Sequence, residues 1–199
     1  RLHYANDSSV EDYILKRCGA DAHKALRCIR PPAYRADLFR FCALLSEGGV
    51  YLDGDLALLH PLHETYSPCA SATIGYDWAE GGVPGKQMKI VAGLPRAPLF
   101  KCMVTRIVQH VRERKPFPAG TLAFSGPQLL QRCYESIPHD GVAITYRDTR
   151  EAVWPWTGMR NATHLYAYEA AASDAALSSK HYSAKEFSTG LYSPECDLN

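Results

Sequence analysis

Residues 32–62, PAYRADLFRFCALLSEGGVYLDGDLALLHPL, decide how the chain reads. Tyr34, Leu38, Phe41, Cys42 and Leu45 recur at helical spacing and form one apolar stripe. Pro31 and Pro32 precede the stripe, where a fixed φ and a missing N–H do least harm. Gly48 and Gly49 follow it, and glycine accepts the left-handed conformation that closes a helix. The spacing therefore predicts a helix from Pro32 to the glycine pair, with Asp37 and Arg40 three apart on one side. Val50-Tyr51-Leu52 is bulky and β-favouring, which predicts a short buried strand. It runs directly into Asp53-Gly54-Asp55. An acidic turn at the carboxyl end of a buried strand is where open α/β sheets place ligands.

Two carboxylates this close repel unless a cation lies between them. Hard oxygen ligands favour Mg²⁺ or Mn²⁺, ions that also bind diphosphates. Gly54 is expected to let the backbone turn tightly and a ligand approach. The plain alternative is a polar turn, since Asp and Gly are common turn residues. The apolar strand before the turn and the Asp37/Arg40 pair upstream weigh towards a site.

Ala36-Asp37-Leu38-Phe39-Arg40, Leu44-Leu45, Gly48-Gly49-Val50-Tyr51-Leu52-Asp53-Gly54-Asp55 and Pro61-Leu62 resemble the sugar-binding region with a DXD motif of family 32 glycosyltransferases. That type includes yeast α-mannosyltransferases of the secretory pathway. More distantly the stretch is similar to α1,4-galactosyltransferases and to glucosylating clostridial toxins. The resemblance is close over these residues and loose over most of the remainder. It implies an α/β, GT-A-like single domain over residues 1–199, with a mixed, mostly parallel central sheet flanked by helices and a DXD core at 32–62.

The activity implied is transfer of a hexose from a nucleotide sugar (GDP-mannose, UDP-galactose or UDP-glucose) to a glycan, lipid or protein acceptor, with retention. Mn²⁺ or Mg²⁺ would be the cofactor. Asp55 would bind the metal directly, and Asp53 the ribose and the metal. Arg40, a fixed fork of donors, and Asp37 would hold sugar hydroxyls. Tyr51 and Gly54 beside Asp53 join the expected substrate-binding set. Thr121 to Pro127, TLAFSGP, resembles the family's TGP turn with Ser125 in place of threonine, and adds Ser125 and Gly126 to that set. Ser125 also suits a cap of the helix expected from Gln128 to Ser136. Many family members carry a late histidine and tryptophan; His181, and after it His164, are the candidates for that histidine, and His181 for a third metal ligand. No tryptophan follows Trp156. No second carboxylate offers itself as a nucleophile, so front-face attack within an ion pair is the simpler route to retention.

Composition bounds the rest. A chain of 199 residues that is 46% hydrophobic can bury one good core. A net charge of +1 argues against a nucleic-acid or membrane-surface protein. No stretch approaches the roughly 20 apolar residues of a membrane helix. The chain opens at Arg1 without a strand or a signal-peptide pattern, so the expectation is an N-terminally incomplete domain lacking its first strand, with any membrane anchor outside this chain. Gly81 to Lys86, GGVPGK, lacks P-loop spacing and reads as a surface loop. Seven dispersed cysteines form no CxxC pair, which leaves zinc without a signature and at least one thiol free. Cys42, on the helix stripe, reads as a small buried hydrophobe. Sequons at Asn6 and Asn161 tilt the setting to the secretory pathway and the Golgi lumen, with a cytoplasmic one as the alternative.

Downstream, Ala72 to Tyr76, Met88 to Leu94 and Val142 to Tyr146 read as strands, and Leu99 to Val111 as the clearest helix. Two competing functions stay in view. One is a phosphohydrolase of the haloacid dehalogenase type, with Asp53 as nucleophile and Asp55 as general acid. It needs a later acidic pair, and none is convincing. The other is a non-catalytic nucleotide-sugar-binding fragment.

Overall fold

The computed structural model describes residues 7–54, 56–64, 66–77, 85–117, 122–148, 152–155, 167–169, 190–194 and 196. Three helices open it: α1 (Asp7–Cys18), α2 (Ala20–Cys28) and α3 (Pro32–Glu47). Strands β1 (Gly49–Leu52), β2 (Leu56–Leu58), β3 (Ala72–Tyr76) and β4 (Lys86–Gly93) follow. Then come α4 (Pro98–Arg112), α5 (Pro127–Ser136), β5 (Val142–Asp148), β6 (Ala152–Pro155) and β7 (Ala167–Glu169).

The helices form where the apolar stripes lie. Tyr34, Leu38, Phe41 and Cys42 of α3 are buried, as are Phe100, Val104, Ile107 and Val111 of α4. Arg106 and Arg112, on the other face of α4, are exposed. α3, α4 and α5 each begin with a proline in the first turn, whose missing N–H would have had no helical acceptor.

The strands form one mixed sheet in the order β1-β4-β3-β5-β6-β7-β2. The α/β class and the flanking helices match the reading of the sequence. The parallel character does not: β3 with β5 is the parallel pair, and every other pairing is antiparallel. β1, expected as a short buried strand, lies at the sheet edge beside β4 and is only half-buried. The physical reason is pairing: a short run of bulky residues favours a strand, but only long-range register decides its neighbours. The site thus sits beside an antiparallel edge pair, and not at a crossover between parallel strands.

Apolar residues of β3 and β4, such as Ala72, Ile74 and Val91, pack beneath the helices in the main core. Alternate positions turn to a second, smaller cluster of Ile90 and Tyr146 with Val50, Leu52 and Leu56 around them. Disulfides tie the helices: Cys18–Cys42 joins α1 to α3, and Cys102–Cys133 joins α4 to α5. Cys28–Cys196 holds the C-terminal segment to the end of α2. Cys42 is therefore half of a disulfide and not a free hydrophobe; its burial brings it against Cys18. Cys69 is the free, exposed thiol. Lys86, expected in a surface loop, begins β4 and is buried, its ammonium 3.9 Å above the Tyr76 ring.

Candidate functional site

α3 and β1 meet through the glycine pair. Gly48 takes φ 67°, and a Cβ there would come within 2.7 Å of the Gly93 carbonyl and of Pro95. The reversal is thus packed against the end of β4, and only glycine fits it. This turn fixes the distance between the polar side of α3 and the residue that follows β1, Asp53.

Arg40 occupies the space between them. Its guanidinium donates to the Met88 carbonyl at 2.6 Å and to Asp53 Oδ1 at 3.1 Å. It lies 3.5 Å from Asp37 Oδ1, and its central carbon stands 4.2 Å from the centre of the Tyr51 ring. Asp37 accepts a second bond, at 2.7 Å, from the Ser125 hydroxyl. Tyr51 lies beside Asp53, and burial together with the negative charge of Asp53 raises the phenol pKa. Five of the residues singled out in the sequence, Asp37, Arg40, Tyr51, Asp53 and Ser125, are therefore one connected network.

Burial grades the network. The Asp37 and Arg40 side chains are 12% and 9% exposed, whereas the Asp53 side chain is 27% exposed. Burial drives the Asp37 carboxyl up to about 6, against the opposing pull of Arg40 and the Ser125 bond. Burial likewise holds the Tyr51 phenol well above its ordinary value, so that it stays a proton donor. Asp53 is the member turned towards solvent, and Asp37 is the one sealed behind it.

The acidic turn is closed by the Leu56 amide donating to the Asp53 carbonyl at 3.2 Å, while the Asp53 amide donates to the Lys89 carbonyl at 2.9 Å. Gly54 is exposed, and a Cβ there would meet nothing within 4 Å. Its backbone is not left-handed. The tight turn expected of it is thus not what calls for glycine; the open approach beside Asp53 is what glycine leaves. Gly126 is the N-cap residue of α5 without a side-chain bond. Ser125, read as the cap of this helix, is instead buried and turned to Asp37, because a buried carboxylate is the stronger acceptor. Asp55, His164 and His181 lie outside the described residues. Among the described residues no three His, Cys, Asp or Glu side chains gather as a metal cluster.

Sequence reasoning missed three contributors: the Met88 carbonyl, Gln87 and Tyr146. The Gln87 side-chain oxygen accepts from the Met88 and Lys89 amides at 2.6 and 2.9 Å. The Tyr146 hydroxyl donates to the Ile90 carbonyl and accepts from the Ile90 amide at 3.2 Å. The available signal was a large residue in VAITYRD and a glycine in ATIGY, which face each other across β3 and β5.

Residues 10–72 match the family described as the glycosyltransferase sugar-binding region containing the DXD motif. The match is to a glycosyltransferase region. It runs from α1 to the first residue of β3 and contains Asp37, Arg40, Tyr51, Asp53, Gly54 and Asp55. Among solved structures the chain is similar to the PaToxG glycosyltransferase, at 20% identity and a TM-score of 0.42, over 54% of this chain. The chain spans only 37% of that structure's length. No curated protein matches it.

Proposed function

We propose that this chain is a metal-dependent, GT-A-like glycosyltransferase of the family 32 type, moving a hexose from a nucleotide sugar to a glycan, lipid or protein acceptor with retention. The observation that carries the reading is the Arg40 network. Its Asp37, Arg40, Tyr51 and Asp53 lie within the region matched to sugar-binding glycosyltransferase sequences, and it presents Asp53 at the head of Asp53-Gly54-Asp55.

A divalent ion suits the donor set. Asp53 and Asp55 offer hard carboxylate oxygens, and Mg²⁺-like ions are held by one or two carboxylates with substrate phosphates completing the shell. Asp37 is not a ligand in this reading, since Ser125 and Arg40 occupy it. When bound, the ion supplies charge neutralisation to the leaving diphosphate.

The chain's own residues do the rest. Arg40 aims the Asp53 carboxylate and is itself held by Asp37, Met88 and the Tyr51 ring. Tyr51 supports the Arg40 guanidinium with its ring beside Asp53. Gly54 leaves the ribose and sugar an unobstructed approach. In the reaction the bond from the anomeric carbon to the diphosphate oxygen breaks, and its electron pair leaves with the nucleoside diphosphate. The acceptor oxygen bonds to the same face of that carbon, and its proton passes to the departing phosphate. Any direct contact of Asp37 or Arg40 with sugar hydroxyls exchanges one of the bonds described above.

Three disulfides support a secretory, oxidising setting, as do the two sequons. The phosphohydrolase alternative loses ground here. Its nucleophile would be Asp53, yet Arg40 already engages that carboxylate.

The test is cleavage of UDP-glucose, UDP-galactose and GDP-mannose with and without Mn²⁺, for the chain and for Asp55→Asn. One donor should be cleaved, only with metal, and Asp55→Asn should abolish it. Cleavage of p-nitrophenyl phosphate alone would assign the phosphohydrolase. Metal-dependent binding of a nucleotide sugar without turnover would assign a binding module.

A further inference from the structure

Resting on the reading of Asp53 and Arg40 as the donor site, we infer that Tyr146 is a positioning residue for that site, acting from two strands away through a bulge in β4.

The evidence begins with register. Along β3 the pairing with β4 passes from Thr73↔Ala92 to Gly75↔Gln87. One residue of β3, Ile74, is thus matched by four of β4, Met88 to Val91, and the segment between Gln87 and Ala92 bows away from its partner. A bow of this kind strips peptide groups of their ladder bonds. Here side chains replace them. Gln87 takes the Met88 and Lys89 amides, and Tyr146 takes both the amide and the carbonyl of Ile90.

The bow offers the Met88 and Lys89 carbonyls to the site, the second as the next rung beyond the pairing of Leu52 with Ile90. Met88 receives Arg40, and Lys89 receives the Asp53 amide. The two charged groups of the donor site are therefore hung on adjacent carbonyls of a segment whose edge towards β3 is fastened at Ile90 by one hydroxyl, while Ile90 to Gly93 pair with β1 along the other edge.

Tyr146 is placed for this by two further features. β5 has its own irregularity: Ile74 faces Ile144, but Gly75 faces Tyr146. The extra residue, Thr145, turns Tyr146 to the face opposite Ile144, which packs in the main core. Gly75 then lets the ring cross β3, since a Cβ on Gly75 would lie inside the ring's van der Waals envelope. A fully buried phenol, a strand that skips a residue and a glycine beneath the ring together deliver one hydroxyl to Ile90.

Tyr146→Phe keeps the ring and removes the hydroxyl. The control is Tyr192→Phe, which also removes a hydroxyl bonded to two carbonyls, those of His110 and Lys115, away from β4. In Tyr146→Phe the amide of Asp53, which Tyr146 does not touch, should exchange hydrogen about tenfold faster by NMR, and kcat on the accepted donor should fall about tenfold with KM changed less. Tyr192→Phe should lower the melting temperature while leaving Asp53 exchange and kcat as they were. If Tyr146→Phe loses stability but keeps wild-type Asp53 exchange, or keeps wild-type kcat, the inference is overturned. If no donor is cleaved even by the unaltered chain, yet Asp53 exchange rises in Tyr146→Phe alone, the positioning stands and the glycosyl-transfer reading is what fails.

Discussion

The two faces of the sheet are built on different principles. One is covered by α1 to α5, with Phe41, Phe100, Met103 and Ile107 fully buried and disulfides binding helix to helix. Among the described residues the other, around Ile90 and Tyr146, is a thin cluster with half-buried Val50, Leu52 and Leu56. The first face holds the chain together. The second holds a strand out of line, and that strand carries Met88 and Lys89 to Arg40 and Asp53. The contrast teaches that stability and site geometry draw on separate sets of residues here, so substitutions should separate them.

The largest effect belongs to the helical face. Phe100 packs against Phe41, with ring centres 6.3 Å apart, and lies beneath Gly93. Phe100→Ala should cost about 3–5 kcal/mol of stability, as deletion of a buried aromatic ring does. Urea unfolding would measure it. Below its transition the variant should keep the donor-cleavage kcat of the unaltered chain. A fall in kcat without unfolding would break the separation, for it would mean that the main core also sets the site.

Gly75→Ala probes the thin face. The added carbon enters the Tyr146 ring, and overpacking of this kind costs roughly 1–3 kcal/mol. Its effect on turnover should exceed its effect on folding. The displaced ring releases Ile90, and with it the segment that holds Arg40 and Asp53. Comparing kcat at a temperature where both proteins are folded sharpens the contrast. A folded Gly75→Ala with unaltered kcat would show that β4 keeps its bow without Tyr146.

How much of this was legible in the sequence follows from the range of each interaction. α3, its proline start and its glycine stop are local, and the 3.6-residue period shows them directly. The Asp37/Arg40 pair is local too. The Arg40–Asp53 bond spans 13 residues and one turn, and a helix-turn-strand reading brings it within reach. Ser125 meets Asp37 across 88 residues, and Tyr146 meets Ile90 across 56. No period or motif carries such pairings. The same holds for Cys18 and Cys42, whose spacing says nothing of a bond until α1 lies on α3. The mostly parallel sheet failed for the same reason: strand character is written locally, whereas partner and direction are not.

The smallest expected effect lies at Asp37, the carboxylate that joins the two faces through Arg40. It is the only buried carboxylate among the described residues. Burial raises its folded value to about 6 from an ordinary 3.8. Between those values the folded state binds more protons than the unfolded one, so stability from this group falls as pH rises. The contribution is fully present below about 3.8, is lost through 6 and is flat above. Most paired carboxylates act in the opposite sense. From pH 5 to pH 7 the loss is about 1 kcal/mol. Asp37→Asn has no such proton, so the stability difference between the unaltered chain and this variant, measured in metal-free buffer, should shift against the unaltered chain by that amount over the interval. A difference that is constant from pH 5 to pH 7 would mean that Arg40 and Ser125 outweigh burial and keep Asp37 charged throughout. Arg40 would then face two full negative charges, and the thin face would owe its geometry to that charge balance more than to the fastening at Tyr146.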